Sequence, residues 1–322
     1  MDTVNDQQHF ISIPLNTLVP DQAVGIKMYL NTGKERYALF LSEKTILTSA
    51  KIEQLEENGV KHLYINPQKH SSYLNYLKKN LRKILQNSML SDNDRAEIAY
   101  ETASQITKEL FSQPSVEAIE KTREVVDCII ETICQTPNAS RLLMMITSQD
   151  YYTYTHSINV GIYAVSMLCE LTPSLNIREL KTLGLGFFLH DLGKARIPKS
   201  ILNKKGPLSH QEWELMTQHP EIGVELAHSL KINDPMIDQI ILYHHERPSG
   251  TGYPRGLDSD EIPRPAKICA LCDVFDALTT NRSYKGALST FEALKVMKNE
   301  TPEHFESEML YKFIHLFRES PW

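Results

Sequence analysis

The stretch that decides the fold runs from residue 187 to residue 194 and reads Phe-Phe-Leu-His-Asp-Leu-Gly-Lys. It places His190 and Asp191 side by side at the end of an apolar helical run, against a low-dielectric wall. Burying an unpaired carboxylate is costly, and a divalent cation removes that cost. Imidazole and carboxylate donors suit zinc, iron, manganese or nickel. One such pair cannot complete a coordination sphere, so the stretch predicts further ligands elsewhere in the chain.

The other candidate ligands lie next to apolar helical segments in the second half of the chain. They are His156, His219, His244, His245 and Asp273. Each one alone is more often a hydrogen-bonded core residue than a ligand, but all seven together are too many for one octahedral ion. We therefore predict two metal ions that share Asp191 as a bridge. The first site adds His156, His190 and Asp273, and the second adds His219, His244 and His245.

Two ions in such an arrangement have a definite chemistry. At a separation of about 3.5–4 Å they would hold a bridging hydroxide near neutral pH and polarise a phosphoryl oxygen. This favours hydrolysis of a phosphoester, with Asp191 at the centre of the catalytic site.

Composition and charge limit the classes of protein to which the chain can belong. The net charge is -6 over 322 residues, which provides no overall basic surface for long nucleic acid. Five cysteines and an opening without signal-peptide character indicate a reduced, cytoplasmic protein. No window approaches the run of about 20 apolar residues that a membrane-spanning helix needs, so we expect no membrane span.

The first 80 residues predict a small α/β module with a regulatory or interaction role. Strand-like alternation covers Phe10–Leu18, Ile26–Leu30 and Tyr37–Leu41, and a closing strand covers Lys61–Ile65. Between them, Thr48-Ser49 is typical of a helix N-cap ahead of a helix that ends at Glu57. This module contains no cluster of metal ligands and no phosphate loop.

The rest of the chain predicts helices, so the fold class is mainly α. Residues 81–138 form a helical stalk, which either packs on the next domain or carries a homodimer interface. Residues 139–322 are almost continuously helical between proline breaks, which indicates a bundle with its metal site between facing helices. Cys269 and Cys272, beside Asp273, are expected to be packing residues of one helix.

Residues 145 to 317 resemble the HD-GYP branch of the HD-domain phosphohydrolases, bacterial enzymes that hydrolyse cyclic di-GMP. The resemblance rests on the 190–194 segment, on Ile197–Lys204, on His219–Gly223, on His244–Arg247, on Gly250–Leu257 and on Asp273–Thr279. It implies a C-terminal HD-type helical bundle, a centre of two iron or manganese ions, and linear pGpG or GMP as products. The family's metal ligands match the seven residues chosen above.

The resemblance also implies the substrate contacts. Lys194 matches a lysine that binds the substrate phosphate, although a cation at a helix C-terminus favoured by the dipole is an equal alternative. Arg282 and Lys285 match basic residues that hold the dinucleotide phosphates. Gly252 and Tyr253 belong to a loop over the site, with the alternative that this segment is only a turn.

Three positions depart from the family pattern. Tyr152 stands where some members have a glutamate that supports a third metal, so we expect two ions. Ser249 replaces an aspartate ahead of the Gly-Tyr-Pro segment, and Ser283 replaces a proline. The two serines leave open a hydrolase of another substrate, such as a hybrid cyclic GMP-AMP dinucleotide or a nucleotide phosphoester. A non-catalytic cyclic-dinucleotide sensor and signalling protein partners are the other open alternatives.

Overall fold

The structure is a computed structural model, and it describes residues 3–4, 10–33, 36–135, 138–147, 153–281 and 286–317. The chain divides into two compact units, Met1–Thr102 and Ala103–Trp322. Helices dominate, and the sheet lies in the first unit. The predicted mainly α fold class with a small α/β module at the N-terminal end is therefore confirmed, while the boundaries at residues 80 and 138 stay a prediction.

The first unit is built on an antiparallel sheet. Its strands are β1 (Thr3–Val4), β2 (Ile11–Pro14), β4 (Met28–Asn31), β5 (Tyr37–Leu41) and β7 (His62–Ile65), and a separate pair joins β3 (Gln22–Ala23) to β6 (Ile46–Leu47). The spatial order in the sheet is β1-β5-β4-β7-β2. Ile13, Met28, Leu63 and Ile65 are almost fully buried. One face of the sheet therefore forms the core of this unit.

The first predicted strand is shorter than its apolar pattern suggests. After β2 ends at Pro14, residues Leu15–Thr17 form a single 3₁₀ turn. The hydroxyl of Thr17 donates a hydrogen bond to the carbonyl oxygen of Pro14, at 2.7 Å. This local bond stabilises the turn in place of an extended strand, and it leaves both Leu15 and Thr17 buried.

Two helices complete this unit. Helix α1 (Ser49–Glu57) begins after Thr48, whose side chain accepts a hydrogen bond from the backbone nitrogen of Lys51, so the predicted cap is present. Helix α2 (His70–Leu85) is held by two tyrosines. The hydroxyl of Tyr73 lies 2.7 Å from the Thr17 hydroxyl, and the Tyr76 hydroxyl accepts a hydrogen bond from the backbone of Val19.

The helices that follow are long at first and shorter near the predicted site. They are α3 (Asp92–Ser112), α4 (Val116–Gln135), α5 (Ala139–Met145), α6 (Thr153–Leu171), α7 (Ile177–Leu189), α8 (Lys199–Leu202), α9 (His210–Met216), α10 (His219–Ser229), α11 (Pro235–Tyr243), α12 (Arg264–Thr279), α13 (Thr290–Asn299) and α14 (Ser307–Leu316). The division between the two units falls within α3. The proline breaks of the sequence coincide with the ends of these helices. None of the described helices is both long and apolar enough to cross a membrane.

Helix α6 is the centre of the second unit. Every residue from Thr155 to Leu168 is buried, so this helix is covered on all sides by other parts of the chain. It packs against α5, α7, α12 and α14.

Helix α4 packs on α7, where the Lys181 ammonium lies 2.6 Å from Glu131 and 3.5 Å from Asp127. This part of the predicted stalk contacts the bundle of its own chain, and a homodimer through it stays a prediction.

Candidate metal centre

The structure brings all seven predicted ligands to one place in the second unit. His156 lies in the first turn of α6, His190 and Asp191 follow α7, His219 begins α10, His244 and His245 follow α11, and Asp273 lies in α12. Most of them are fully buried, and only the side chains of Asp273 and His245 are partly exposed, at 14% and 23%. Five segments of the chain therefore bring their ligand side chains together, with Asp273 and His245 on the more exposed side.

Asp191 lies between two sets of imidazoles. Its Oδ2 atom is 3.6 Å from His156 Nε2 and 3.5 Å from His190 Nε2. Its Oδ1 atom is 3.3 Å from His219 Nε2 and 3.8 Å from His244 Nε2. The two carboxylate oxygens thus face different pairs of nitrogens, as a bridging ligand requires.

Potential ligand atoms form two clusters that share this carboxylate. One contains Asp191, His219, His244 and His245, and the other contains His156, His190 and Asp191, with all ligand atoms of a cluster within 4.8 Å of one another. Asp273 is not part of the second cluster at this separation. Its Oδ1 atom lies 3.1 Å from His156 Nε2, and its Oδ2 atom lies 3.7 Å from His245 Nδ1. Asp273 therefore stands between the two clusters on the open side.

Helix ends orient three of the imidazoles. The Nδ1 atom of His190 donates to the carbonyl oxygen of Phe187, at 2.8 Å. In the same way His219 Nδ1 donates to Met216, at 2.7 Å, and His244 Nδ1 donates to Ile241, at 2.8 Å. The last carbonyls of a helix have no intrahelical partner, and a carbonyl only accepts, so Nδ1 must carry the proton. In its neutral form each ring then directs the Nε2 lone pair into the cavity.

This pattern of lone pairs fits a metal ion. The Nε2 atoms of His219 and His244 lie 3.3 Å apart, and two neutral rings of this tautomer repel each other there. Among the described residues, His190 Nε2 and Asp191 Oδ1 are buried without a hydrogen bond of acceptable geometry. Buried polar atoms without partners are costly. Histidine ligands of metals typically donate their other nitrogen to a carbonyl or a carboxylate, and these residues meet that condition.

Burial favours the neutral form of three of the imidazoles. Desolvation lowers the pKa of His190 and His244, and it lowers the pKa of His245 to about 3. For Asp191, desolvation alone would raise the pKa, but the Lys194 ammonium and the neighbouring imidazoles outweigh it and hold the pKa well below its usual range. These four side chains thus favour the deprotonated state that metal binding needs.

A second carboxylate, Asp276, supports His156 from behind. It is fully buried in α12, one helical turn after Asp273. Its Oδ2 atom lies 2.7 Å from His156 Nδ1, and its Oδ1 atom accepts a hydrogen bond from Asn159, at 2.8 Å. We did not predict a role for Asp276 or Asn159 from the sequence. The sequence signal for Asp276 is its position three residues after Asp273, which places both side chains on the same face of one helix.

The lysine that is predicted to bind the substrate phosphate, Lys194, contacts the Asp191 carboxylate. Lys194 Nζ lies 2.6 Å from Asp191 Oδ2 and is mostly buried. Arg282 and Lys285, the other predicted phosphate contacts, lie outside the described residues, as does Ser283. Tyr152, on which the expectation of two rather than three ions depends, also lies outside them.

The Gly-Tyr-Pro loop is attached to the ligand segment. The backbone nitrogen of Tyr253 donates to the carbonyl oxygen of His245, at 3.2 Å, and the Tyr253 ring stacks on the His245 ring with centroids 4.6 Å apart. Gly252 lies against the backbone of residues 245–247, where a Cβ atom would collide with main-chain atoms. This glycine is needed for close approach rather than for a left-handed conformation, which occurs at Gly250 and Gly256.

Glu246 fixes the far end of this loop. Its side chain is buried, although glutamate is rarely buried without partners. Oε1 accepts a hydrogen bond from the backbone nitrogen of Arg255, at 2.6 Å, and Oε2 accepts one from Leu257, at 3.0 Å. Sequence reasoning gave this residue no role, because a glutamate after two histidines looks like an ordinary polar position.

The two cysteines beside Asp273 are packing residues, as the sequence suggested. Cys269 and Cys272 are fully buried, and desolvation raises the pKa of both thiols well above the usual value. A buried thiol in these surroundings is unreactive.

These observations describe a helical protein with a buried histidine and aspartate centre suited to divalent cations. The sequence model of the HD domain family matches residues 143–309, which is more than half of the chain. The chain belongs to the HD domain family, which confirms the resemblance at the level of that family.

The chain is also similar to curated proteins that are named as phosphodiesterases of cyclic dinucleotides. A cyclic di-GMP phosphodiesterase of Pseudomonas aeruginosa, PA4108, is 29% identical over 282 residues, covering 83% of this chain and 67% of that protein. The 3'3'-cGAMP-specific phosphodiesterase 2 of Vibrio cholerae is 41% identical over 38% of this chain and 24% of its own length. A cyclic di-GMP phosphodiesterase of Thermotoga maritima is 33% identical over 55% of this chain and 48% of its own length. The matched region thus spans less than half of the last two relatives.

The fold also matches a solved structure. Bd1817, an HDG"Y"P protein from Bdellovibrio bacteriovorus, superposes with a TM-score of 0.66 over 96% of this chain and all of that chain, at 21% identity. This likeness concerns the fold alone.

Proposed function

We propose that this protein is a metal-dependent phosphodiesterase that hydrolyses cyclic di-GMP to linear pGpG or GMP. The observation that supports this most is the position of Asp191, whose two oxygens face separate pairs of imidazole nitrogens. An arrangement of this kind is suited to two cations that share one carboxylate. The names of the relatives from Pseudomonas and Thermotoga support the substrate.

We further propose that the resident cofactor is two divalent ions, iron or manganese. His156, His190, Asp191 and Asp273 would hold one of them, and Asp191, His219, His244 and His245 would hold the other. When bound, such ions polarise a phosphoryl oxygen and lower the pKa of a bound water. The buried carboxylates of Asp191 and Asp276 and the partly exposed carboxylate of Asp273 contact imidazoles of the site. Among the described residues one ammonium, that of Lys194, pairs with them, at Asp191, so the site favours further positive charge.

The chain's own groups then have distinct tasks. Lys194 supplies a fixed positive charge within reach of the ligand cluster, which suits a substrate phosphate. Tyr253 stacks on His245, and Gly252 lies against the backbone of residues 245–247, so both stand on the more exposed side of the site. Arg282 and Lys285 are proposed to hold the second phosphate of the dinucleotide, since an arginine can bind phosphate through two parallel hydrogen bonds.

A second candidate substrate is 3'3'-cGAMP. The Vibrio relative that is 41% identical over 123 residues is named for this dinucleotide. The two substrates differ in one base, so they share the phosphodiester chemistry of the metal centre. A turnover assay with both dinucleotides discriminates between them. The cytoplasmic location, the homodimer and the signalling partners stay predictions.

The test is cyclic di-GMP turnover by the full chain, loaded with manganese or ferrous iron under reducing conditions, with products separated by chromatography. Asp191→Ala should abolish turnover, because it removes the carboxylate that both clusters share. Asp260→Ala is the matched control, since this aspartate is exposed. Retained turnover in Asp191→Ala would exclude this centre as the catalytic site, and binding of the dinucleotide without turnover by the wild type would identify a sensor.

A further inference from the structure

An exposed indole lies beside the open side of the centre. Trp213 is 50% exposed on α9, and Leu215 on the same helix is 43% exposed. None of the residues of α9 is buried, so packing in the core does not account for this helix. Single exposed hydrophobic residues are common and need no explanation, but Trp213 also has a specific position relative to the proposed substrate loop.

Aromatic rings connect the indole to the metal centre. The Trp213 and Tyr253 centroids are 6.1 Å apart at an interplanar angle of 76°. Tyr253 in turn stacks on His245 at 4.6 Å and 29°. Two ring contacts thus separate the exposed indole from a predicted metal ligand.

Both ends of α9 are fixed. At its start, Ser209 and Glu212 form a capping box, and Lys204 forms an ion pair with Glu212. At its end, the carbonyl oxygen of Met216 accepts the Nδ1 hydrogen of His219. The helix that carries Trp213 therefore also orients a predicted ligand. A platform held in place before the ligand arrives requires little ordering on binding.

We propose that Trp213 is the stacking platform for a purine base of the cyclic dinucleotide substrate; this inference rests on the proposed function. Aromatic side chains stack on bases because every base has a π-face. The scissile phosphate would then lie at the metal centre, with its base on the adjacent indole.

The first test uses fluorescence and needs no turnover. The chain has two tryptophans, Trp213 and Trp322, so Trp322→Phe leaves Trp213 as the sole indole. We expect GMP to quench its emission saturably in chelator-treated full-length protein, whereas ribose 5-phosphate, which lacks the base, has no such effect. Equal responses to both compounds, or no response to GMP, would overturn the proposal.

The second test separates binding from chemistry. Stacking of one base contributes enough that Trp213→Ala should raise KM for cyclic di-GMP about 5- to 150-fold, with kcat little changed. Trp213→Phe should restore most of the loss, because phenylalanine keeps a ring for stacking. Phe291→Ala is the control, since Phe291 on α13 is 76% exposed, and it should leave both constants unchanged.

Inhibition constants separate the contribution of the base from that of the phosphate. In Trp213→Ala the inhibition constant of GMP should rise in parallel with KM, while that of ribose 5-phosphate stays the same. Equal weakening of both inhibitors, or a fall in kcat with KM unchanged, would show a structural role and refute the platform. If the wild type hydrolyses no cyclic dinucleotide, the proposed function fails, whereas the quenching by GMP still decides the role of Trp213.

Discussion

Replacing Asp276 by asparagine tests how the centre is supported from behind. The carboxylate accepts two hydrogen bonds, from His156 Nδ1 at 2.7 Å and from Asn159 Nδ2 at 2.8 Å. An asparagine has only one acceptor oxygen, so one of these donors must lose its partner. The negative charge that strengthens His156 as a ligand is lost as well.

The size of the effect follows from these contacts. Loss of the group that orients a histidine ligand typically lowers metal affinity by about 10- to 100-fold, which is about 1.4–2.7 kcal/mol. A hydrogen bond to a charged group contributes about 1.5–3 kcal/mol, so the two figures agree. Among the described residues, Asp276 contacts His156 and none of the imidazoles around Asp191 Oδ1. We therefore expect the affinity for one of the two ions to fall by this factor.

The assay is calorimetric titration of manganese into chelator-treated protein, with bound metal counted by elemental analysis. Wild type should bind two ions, and Asp276→Asn should retain one with unchanged affinity. Asp260→Asn controls for loss of surface charge, and circular dichroism checks that the variant is folded. Two unchanged binding steps in Asp276→Asn would refute the assignment of this carboxylate to His156.

Three further changes follow from the same structure. Glu246→Gln leaves at most one acceptor oxygen for the backbone nitrogens of Arg255 and Leu257. The free energy of unfolding, measured by thermal denaturation, should therefore fall by about 1–3 kcal/mol, and proteolysis should increase within residues 250–257. Unchanged cleavage would contradict this. Gly193→Ala brings a Cβ atom onto the carbonyl oxygen of His219 and the backbone of Gly223. We expect the free energy of unfolding to fall by about 1–3 kcal/mol and the protein to bind less metal. A variant with full metal content would contradict the close contact between these backbone segments. In chelator-treated protein, His245 has a folded-state pKa lowered to about 3, so the unfolded chain takes up this proton first, and stability should fall on acidification from about pH 6.5 toward 3, by at most about 1.4 kcal/mol per pH unit for this group. Denaturation of His245→Gln should show a shallower pH dependence than wild type, and His210→Gln, an exposed control, should not.

The clustering of the candidate ligands could be predicted because their chemistry conflicts with their surroundings. A histidine and an aspartate after an apolar helical run need a partner, whatever the rest of the chain does. Helix ends could also be predicted from the sequence, because Thr48 and the prolines act through local backbone contacts. The pattern of residues 10–18 misled because a strand and a turn can carry the same apolar residues, and the hydrogen bond from Thr17 to Pro14 decides between them.

The supporting residues could not be predicted, because their role depends on distances between separate helices. Asp276 is a ligand support only because α12 lies against α6, which brings it to His156 across 120 positions of sequence. Glu246 matters because a loop nine to eleven residues later returns to it. The contact of Lys194 with Asp191 and the position of Trp213 beside Tyr253 likewise arise from tertiary packing.

Three consecutive residues after α11 have different tasks. His244 faces the cavity, His245 stacks on Tyr253, and Glu246 holds the backbone of residues 255 and 257. The Gly-Tyr-Pro segment therefore cannot swing open as a hinged flap without breaking contacts to the same short piece of chain that carries two ligands. Selection among cyclic dinucleotides should accordingly depend on a rigid entrance whose shape exists before any substrate is encountered.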